Sequence, residues 1–267
     1  MNRTTTNTNT DYPDHHHFLE FAEGMSDITG KILLDASRSV PNVEFKRDAS
    51  FVTDTDKLIE TRLREMIESE YPDHGIYGEE FGDKNINAEF VWVLDPIDGT
   101  AQFIAGIPVF GTLISLAWRG KPFIGLIDHP ATSDRWTGVS GSFAKRNGHP
   151  VTTNACMGPD SAFVTCSNPD FMTKDEHKRF MRLQSVAPYI QYGGSCFSYG
   201  LLASGRTNIA IDASFEPFDF FACAAVIDGA GGILTNWDGD EVSLDWSGGI
   251  LAAGDKNCHQ KTIELIA

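Results

Sequence analysis

Phe90-Val91-Trp92-Val93-Leu94-Asp95-Pro96-Ile97-Asp98-Gly99-Thr100 decides the reading of this chain. The five residues before Asp95 are an unbroken apolar run with a β-branched and aromatic bias, which predicts a strand buried on both faces. The strand is predicted to end on Asp95, and strand ends are where α/β proteins gather ligands. Asp98 follows three residues later. Pro96 restricts the backbone between the two acids, so that both carboxylates can face one point. Gly99 allows close backbone approach, Thr100 adds a hydroxyl, and a helix-like segment starts there, over 101–105. The free N–H groups of a helix start suit a phosphate. Carboxylates beside a phosphate repel it unless a cation lies between them, and a set of hard oxygen ligands favours Mg²⁺.

Two more acidic elements extend the pattern. Gly78-Glu79-Glu80 closes another short predicted strand, over 75–79, and Asp219 follows Pro217 at the start of a predicted helix. Any one of these acids alone reads as a turn or cap residue. Together they make an oxygen-only cluster.

The chain around them is α/β in pattern. Phe18, Phe21, Ala22, Met25, Ile28, Ile32 and Leu33 recur at helical spacing, and Leu58, Ile59, Leu63, Met66 and Ile67 mark a second helix that starts near Thr53 and ends at Tyr71-Pro72. A polar, extended stretch, 41–52, joins them. From 109 to 151, β-like runs are separated by Arg119-Gly120, His129-Pro130 and Asn147-Gly148, the pattern of an antiparallel meander. The second half alternates predicted strands at 162–166, 208–212 and 250–253 with helices at 175–183, 198–203, 218–229 and 256–265. The expected organisation is a disordered tail (1–14), an N-terminal α+β half with the acidic motif (15–152) and a C-terminal α/β half (153–267). His15-His16-His17, beside the helix-capping Asp14, reads as a solvated helix start.

The 267 residues are 41% hydrophobic, enough for a sizeable core, and the formal net charge is −16. Such acidity disfavours a nucleic-acid backbone or an anionic membrane as partner. No apolar run is long enough to span a bilayer. The five cysteines (Cys156, Cys166, Cys196, Cys223, Cys258) are odd in number and include no Cys-x-x-Cys, so reduced thiols in a cytoplasmic protein are expected.

Gly78-Glu79-Glu80, Trp92 to Thr100 and Pro217-Phe218-Asp219 together resemble the signatures of the inositol monophosphatase superfamily, over 18–266. The resemblance implies an α-β-α-β-α sandwich of the inositol monophosphatase and fructose-1,6-bisphosphatase type, usually a homodimer. It implies two or three Mg²⁺ ions, often with lithium inhibition. Glu79, Asp95, Asp98 and Asp219 match side-chain metal ligands, and the carbonyl of Ile97 a backbone ligand. Thr100, Asp56 and Glu79 match residues that hold or activate the attacking water, and Lys46 a basic residue on a mobile loop. Gly99 and Thr100 match the phosphate cradle. A small phosphate monoester would be hydrolysed by in-line attack of a cation-activated water, with no covalent nucleophile.

The second half sets the choice of monoester. Tyr192-Gly193-Gly194, Phe110-Gly-Thr-Leu-Ile114, Arg135-Trp136 and Leu251-Ala-Ala-Gly-Asp255 look like the histidinol-phosphatase branch, which implies L-histidinol phosphate and histidine biosynthesis. Ser195 stands where that branch often has Asp, and Asp212 where Glu is usual. A substrate with a cationic amine suits an acid in the pocket, and Asp212, Glu216 and the metal ligand Asp219 remain to supply one. Ser195 also reads as a helix cap. Inositol 1-phosphate and other sugar or nucleotide monophosphates are the alternative substrates, and a regulatory or binding role is the non-enzymatic alternative.

Overall fold

The acidic motif lies at one end of a large sheet whose two faces are both covered. The computed structural model describes residues 13–46 and 51–267, so most of the expected tail lies outside the described residues. In chain order the elements are α1 (His16–Ala36), β1 (Val43–Phe45), β2 (Phe51–Thr53), α2 (Asp54–Glu70), β3 (Gly75–Gly78), β4 (Gly82–Lys84), β5 (Phe90–Asp98), α3 (Thr100–Ala105) and β6 (Gly111–Trp118). Then follow β7 (Lys121–His129), β8 (Asp134–Val139), β9 (Phe143–Arg146), β10 (His149–Val151), β11 (Phe163–Cys166), α4 (Lys174–Val186), β12 (Tyr189–Tyr192) and α5 (Ser195–Ala203). The chain closes with β13 (Ile209–Phe215), α6 (Pro217–Gly229), β14 (Ile233–Asn236), β15 (Gly248–Ala253) and α7 (Lys256–Ile266).

An eight-stranded sheet runs in the order β10-β9-β8-β7-β6-β5-β3-β4, and a five-stranded sheet in the order β12-β11-β13-β15-β14. The expected meander is there, as consecutive antiparallel pairs from β5 to β10. Three buried clusters define the layers. Phe18, Met25, Leu33, Ile59 and Leu63 of α1 and α2 pack on Trp92, Leu94 and Ile114 of the large sheet. Val93, Leu113 and Trp136 on its other face meet Tyr199, Phe221 and Val226 of α5 and α6, with Ala210 and Ile250 of the small sheet beyond. Val164, Ile211 and Leu251 then pack against Phe180 of α4 and Cys258 and Ile266 of α7. The result is an α-β-α-β-α sandwich, as the motifs implied. No described helix is long and apolar enough to cross a membrane.

Three expectations need correction. The first strand of the motif does not stop at Asp95 but runs on to Asp98, with a register shift against β6 between the two acids. Asp95 pairs with Leu113 and Asp98 with Gly111, so three steps on β5 oppose two on β6. Alternate residues of a strand face opposite ways, and acids three apart would part company. The one extra residue of the bulge returns both to the same side. On α1 and α2, Ile28 and Leu58 are exposed, while Glu60 is buried. Finally, the cysteines are not all free. Cys156 and Cys258 form a disulfide at the start of α7, and Cys166, Cys196 and Cys223 remain as buried thiols. The histidine run opens α1 as expected, with the carboxylate of Asp14 accepting from the N–H of His16 at 3.1 Å.

Candidate active site

β3 and β5 are parallel, with Gly78 opposite Leu94. Their carboxyl ends therefore leave the sheet together, and Glu79 arrives beside Asp95. The N–H of Glu79 still donates to Leu94 O at 3.3 Å, which fixes that turn. Glu60 supports it from below, accepting from the N–H of Glu80 at 2.7 Å and of Phe81 at 3.2 Å, and from Nε of Arg64 at 2.8 Å. Nothing in the sequence marks Glu60 for this task, since it occupies an apolar position of α2 by periodicity.

Asp56 and Asp219 reach the same region from helix starts. Each is the third residue of its helix and closes a capping box. Asp56 Oδ2 accepts from the N–H of Thr53 at 2.8 Å and its hydroxyl at 2.5 Å, and Asp219 Oδ2 from the N–H of Glu216 at 2.7 Å. Capping consumes one oxygen of each carboxylate, so the cap and site readings are both satisfied. One oxygen each from Asp95, Asp98 and Asp219 lie within 4.8 Å of one another. Asp95 Oδ1 and Asp56 Oδ1 are buried without a partner. Burial first, and then mutual repulsion, pushes the carboxyls of Asp95 and Asp219 well above the usual range; Glu79 is raised by burial against the pull of Lys46. Asp98 and Asp56 are raised by burial, against the donors that hold them. Repelling acids gathered in a half-buried cleft, with the Asp95 and Asp56 oxygens buried and unpartnered, fit a hard divalent cation.

Lys46 sits at the rim. Its Nζ is 2.8 Å from both Glu79 Oε1 and Glu80 Oε1. Burial lowers its pKa, but the two carboxylates outweigh this and hold the ammonium above its usual range. Glu80 is pushed up to about 7 by burial and by Glu79.

Gly99 caps α3 with φ +80°, and a Cβ there would come within 2.8 Å of Val109 O and 3.1 Å of Ser195 Oγ. The Thr100 hydroxyl donates to Ile97 O at 2.9 Å, while the Ile97 side chain is in the core. Ser195, at φ +45°, is the first residue of α5 and does not cap it; Gly194 takes the cap position without a side-chain bond. The Ser195 hydroxyl instead faces Gly99. Asp212 is placed differently from the others. Ser167 donates to it through N–H at 2.6 Å and hydroxyl at 3.2 Å, and the Tyr199 hydroxyl at 2.7 Å. Burial pushes its carboxyl up to about 7. Asp212 thus underpins the second half's side of the site, with both oxygens engaged. Glu216 is the exposed acid there, 3.5 Å from the Tyr77 hydroxyl.

A layered sandwich that gathers acids from two strand ends and two helix starts at one site is the architecture of a phosphatase family. Residues 14–267 match the model of the inositol monophosphatase family, and the chain belongs to that family. It is 37% identical over 258 residues to the chloroplastic bifunctional phosphatase IMPL2 of Arabidopsis thaliana, covering 93% of this chain and 75% of that one. It is 31% identical to the histidinol-phosphatase of Chlorobaculum parvum, over 88% and 91% of the two chains. Among solved structures, an inositol monophosphatase from Zymomonas mobilis superposes with a TM-score of 0.87 at 30% identity, over 96% and 99% of the two chains.

Proposed function

We propose that this chain is a Mg²⁺-dependent phosphomonoesterase whose preferred substrate is L-histidinol phosphate. The observation that carries the reaction is the meeting of Asp95, Asp98 and Asp219 oxygens within 4.8 Å, beside Glu79 and with Asp95 Oδ1 buried and unpartnered. Glu79, Asp95, Asp98, Asp219 and the Ile97 carbonyl would hold the cations. Bound there, Mg²⁺ supplies charge neutralisation for the phosphate and acidifies a water. The protein's own groups do the positioning on which phosphoryl transfer depends. Asp56 presents one free oxygen, and with Thr100 and Glu79 it orients the attacking water. The backbone of Gly99 and Thr100 holds phosphate oxygens, and the Ser195 hydroxyl lies against that cradle.

The substrate assignment draws on a different side of the site. Histidinol phosphate carries a cationic amine, and Glu216 offers an exposed carboxylate next to Asp219. The similarity to the histidinol-phosphatase of Chlorobaculum parvum supports the same choice, and that to the inositol monophosphatase of Zymomonas mobilis supports the alternative. A panel of histidinol phosphate, inositol 1-phosphate, a nucleotide monophosphate and fructose bisphosphate, assayed with Mg²⁺, tests it by kcat/KM. Histidinol phosphate is expected to lead. A preference for inositol 1-phosphate by about tenfold or more overturns the substrate. Turnover that survives EDTA overturns the metal-dependent reaction. The expected homodimer is checked by light scattering.

A further inference from the structure

Behind Asp98 lies a row of buried polar groups that no step of the reaction touches. β7 ends on His129, which is buried against Phe197 with ring centroids 4.8 Å apart. Its Nε2 lies 3.1 Å from Cys196 Sγ. Cys196, the second residue of α5, donates its N–H to Asp98 Oδ2 at 2.8 Å, which brings its thiol to the same carboxylate. His129 Nδ1 is buried with no partner. A neutral imidazole carries one N–H, and a buried orphan donor is rarer than an orphan acceptor. The proton therefore belongs on Nε2. The imidazole N–H then donates to sulfur, which leaves the thiol proton free to turn toward Asp98. Two features make room for it. Gly111 faces Asp98 across the bulge, and a Cβ there would lie 3.0 Å from His129 Nε2. Ser195, at φ +45°, turns the chain so that the next N–H points at Asp98.

We propose that His129 and Cys196 are positioning residues that aim the Asp98 carboxylate at the cation, holding Oδ2 and leaving Oδ1 to coordinate. The inference rests on the metal-site reading above. Partners one step behind a ligand typically tune metal affinity by tenfold or more.

Mn²⁺ serves as a spin probe that binds in place of Mg²⁺, titrated by EPR into the full chain without substrate. Cys196→Ala and His129→Leu remove a donor; Cys196→Ser and His129→Gln keep one. The donor-lacking variants are expected to weaken Mn²⁺ binding at least threefold, with about tenfold as the central expectation, while the donor-keeping variants stay within threefold of the parent. A purely space-filling role predicts no rescue by Ser or Gln. Donor-lacking variants that bind within threefold of the parent, or donor-keeping variants as weak as they are, overturn the proposal. If Cys196→Ala does not fold by circular dichroism, the His129 pair decides alone. A parent that binds no Mn²⁺ overturns the metal-site reading and this inference with it.

Discussion

Replacing Asp95 by Asn should abolish turnover and yet stabilise the metal-free protein. One oxygen of Asp95 lies within 4.8 Å of an oxygen of Asp98 and of Asp219. At an effective dielectric of ~20, two like charges at that distance repel by about 3.5 kcal/mol, so the two pairs sum to about 7 kcal/mol if every group is ionised. The site relieves part of this by taking up protons, consistent with the raised carboxyl pKa of Asp95. The penalty that survives at neutral pH is on the order of 2 kcal/mol, the usual cost of an imperfectly satisfied buried group. The replacing amide is nearly isosteric, leaves one oxygen in place and can donate to Glu79. At 2–4 °C per kcal/mol for a chain of this size, the Asp95→Asn variant should melt about 4–8 °C above the parent in EDTA. Mg²⁺ reverses the order. At a hundredfold excess over its Kd it adds about 2.7 kcal/mol to the parent, or about 5–11 °C, and nothing comparable to the variant. Differential scanning calorimetry in EDTA and in Mg²⁺ reads both arms. A variant less stable than its parent in EDTA, or one that gains as much from Mg²⁺, would refute the reasoning.

Three further outcomes are expected. Gly99→Ala forces a side chain into φ +80° against Val109 O and Ser195 Oγ; a displacement of this kind beside the phosphate should lower kcat/KM by about a hundredfold with the circular dichroism spectrum unchanged, and a loss under threefold refutes the cradle. Reducing the Cys156–Cys258 bridge opens a loop spanning 102 residues in the outer layer; dithiothreitol or Cys156→Ser should lower stability by about 2–4 kcal/mol with kcat retained, read by urea midpoint and steady-state kinetics. Burial pushes the pKa of His129 down to about 4, so its stabilising neutrality is complete above the unfolded value near 6.5 and erodes as pH falls toward 4. Between pH 7 and 4.5 the parent should lose about 2.5 kcal/mol more than His129→Gln in urea melts, and equal losses would contradict the assignment.

Much of this was legible because it is local. The run 90–94 announces a buried strand, and an acid at its end announces a site. Helix starts at Thr53 and Pro217 are written in the sequence, which is why Asp219 could be placed; Asp56 entered only through the family resemblance. What escaped depends on partners far away in the chain. The bulge exists only relative to β6. Glu60 is buried because the turn after β3 needs an acceptor, a need that α2's own periodicity does not reveal. Cys156 and Cys258 meet because the small sheet brings its first connection against α7. The short edge strand β12, with Tyr189 and Tyr192 exposed, has too little apolar pattern to declare itself. Asp212 has the right residue type for a substrate contact, but Ser167 and Tyr199 reach it first.

The stagger between Asp95 and Asp98 carries a consequence for how this protein can vary. The extra residue on β5 is what lets acids three apart turn the same way, so their spacing and the bulge depend on each other. Deleting residue 96 or 97 would leave acids two apart, which a regular strand also turns to one side, but it would straighten β5 and remove the outward bend between them. The bulge thus adds a backbone step between two side chains that already share a direction, and a change of length there would alter the turn and its carbonyl more than the face the acids occupy.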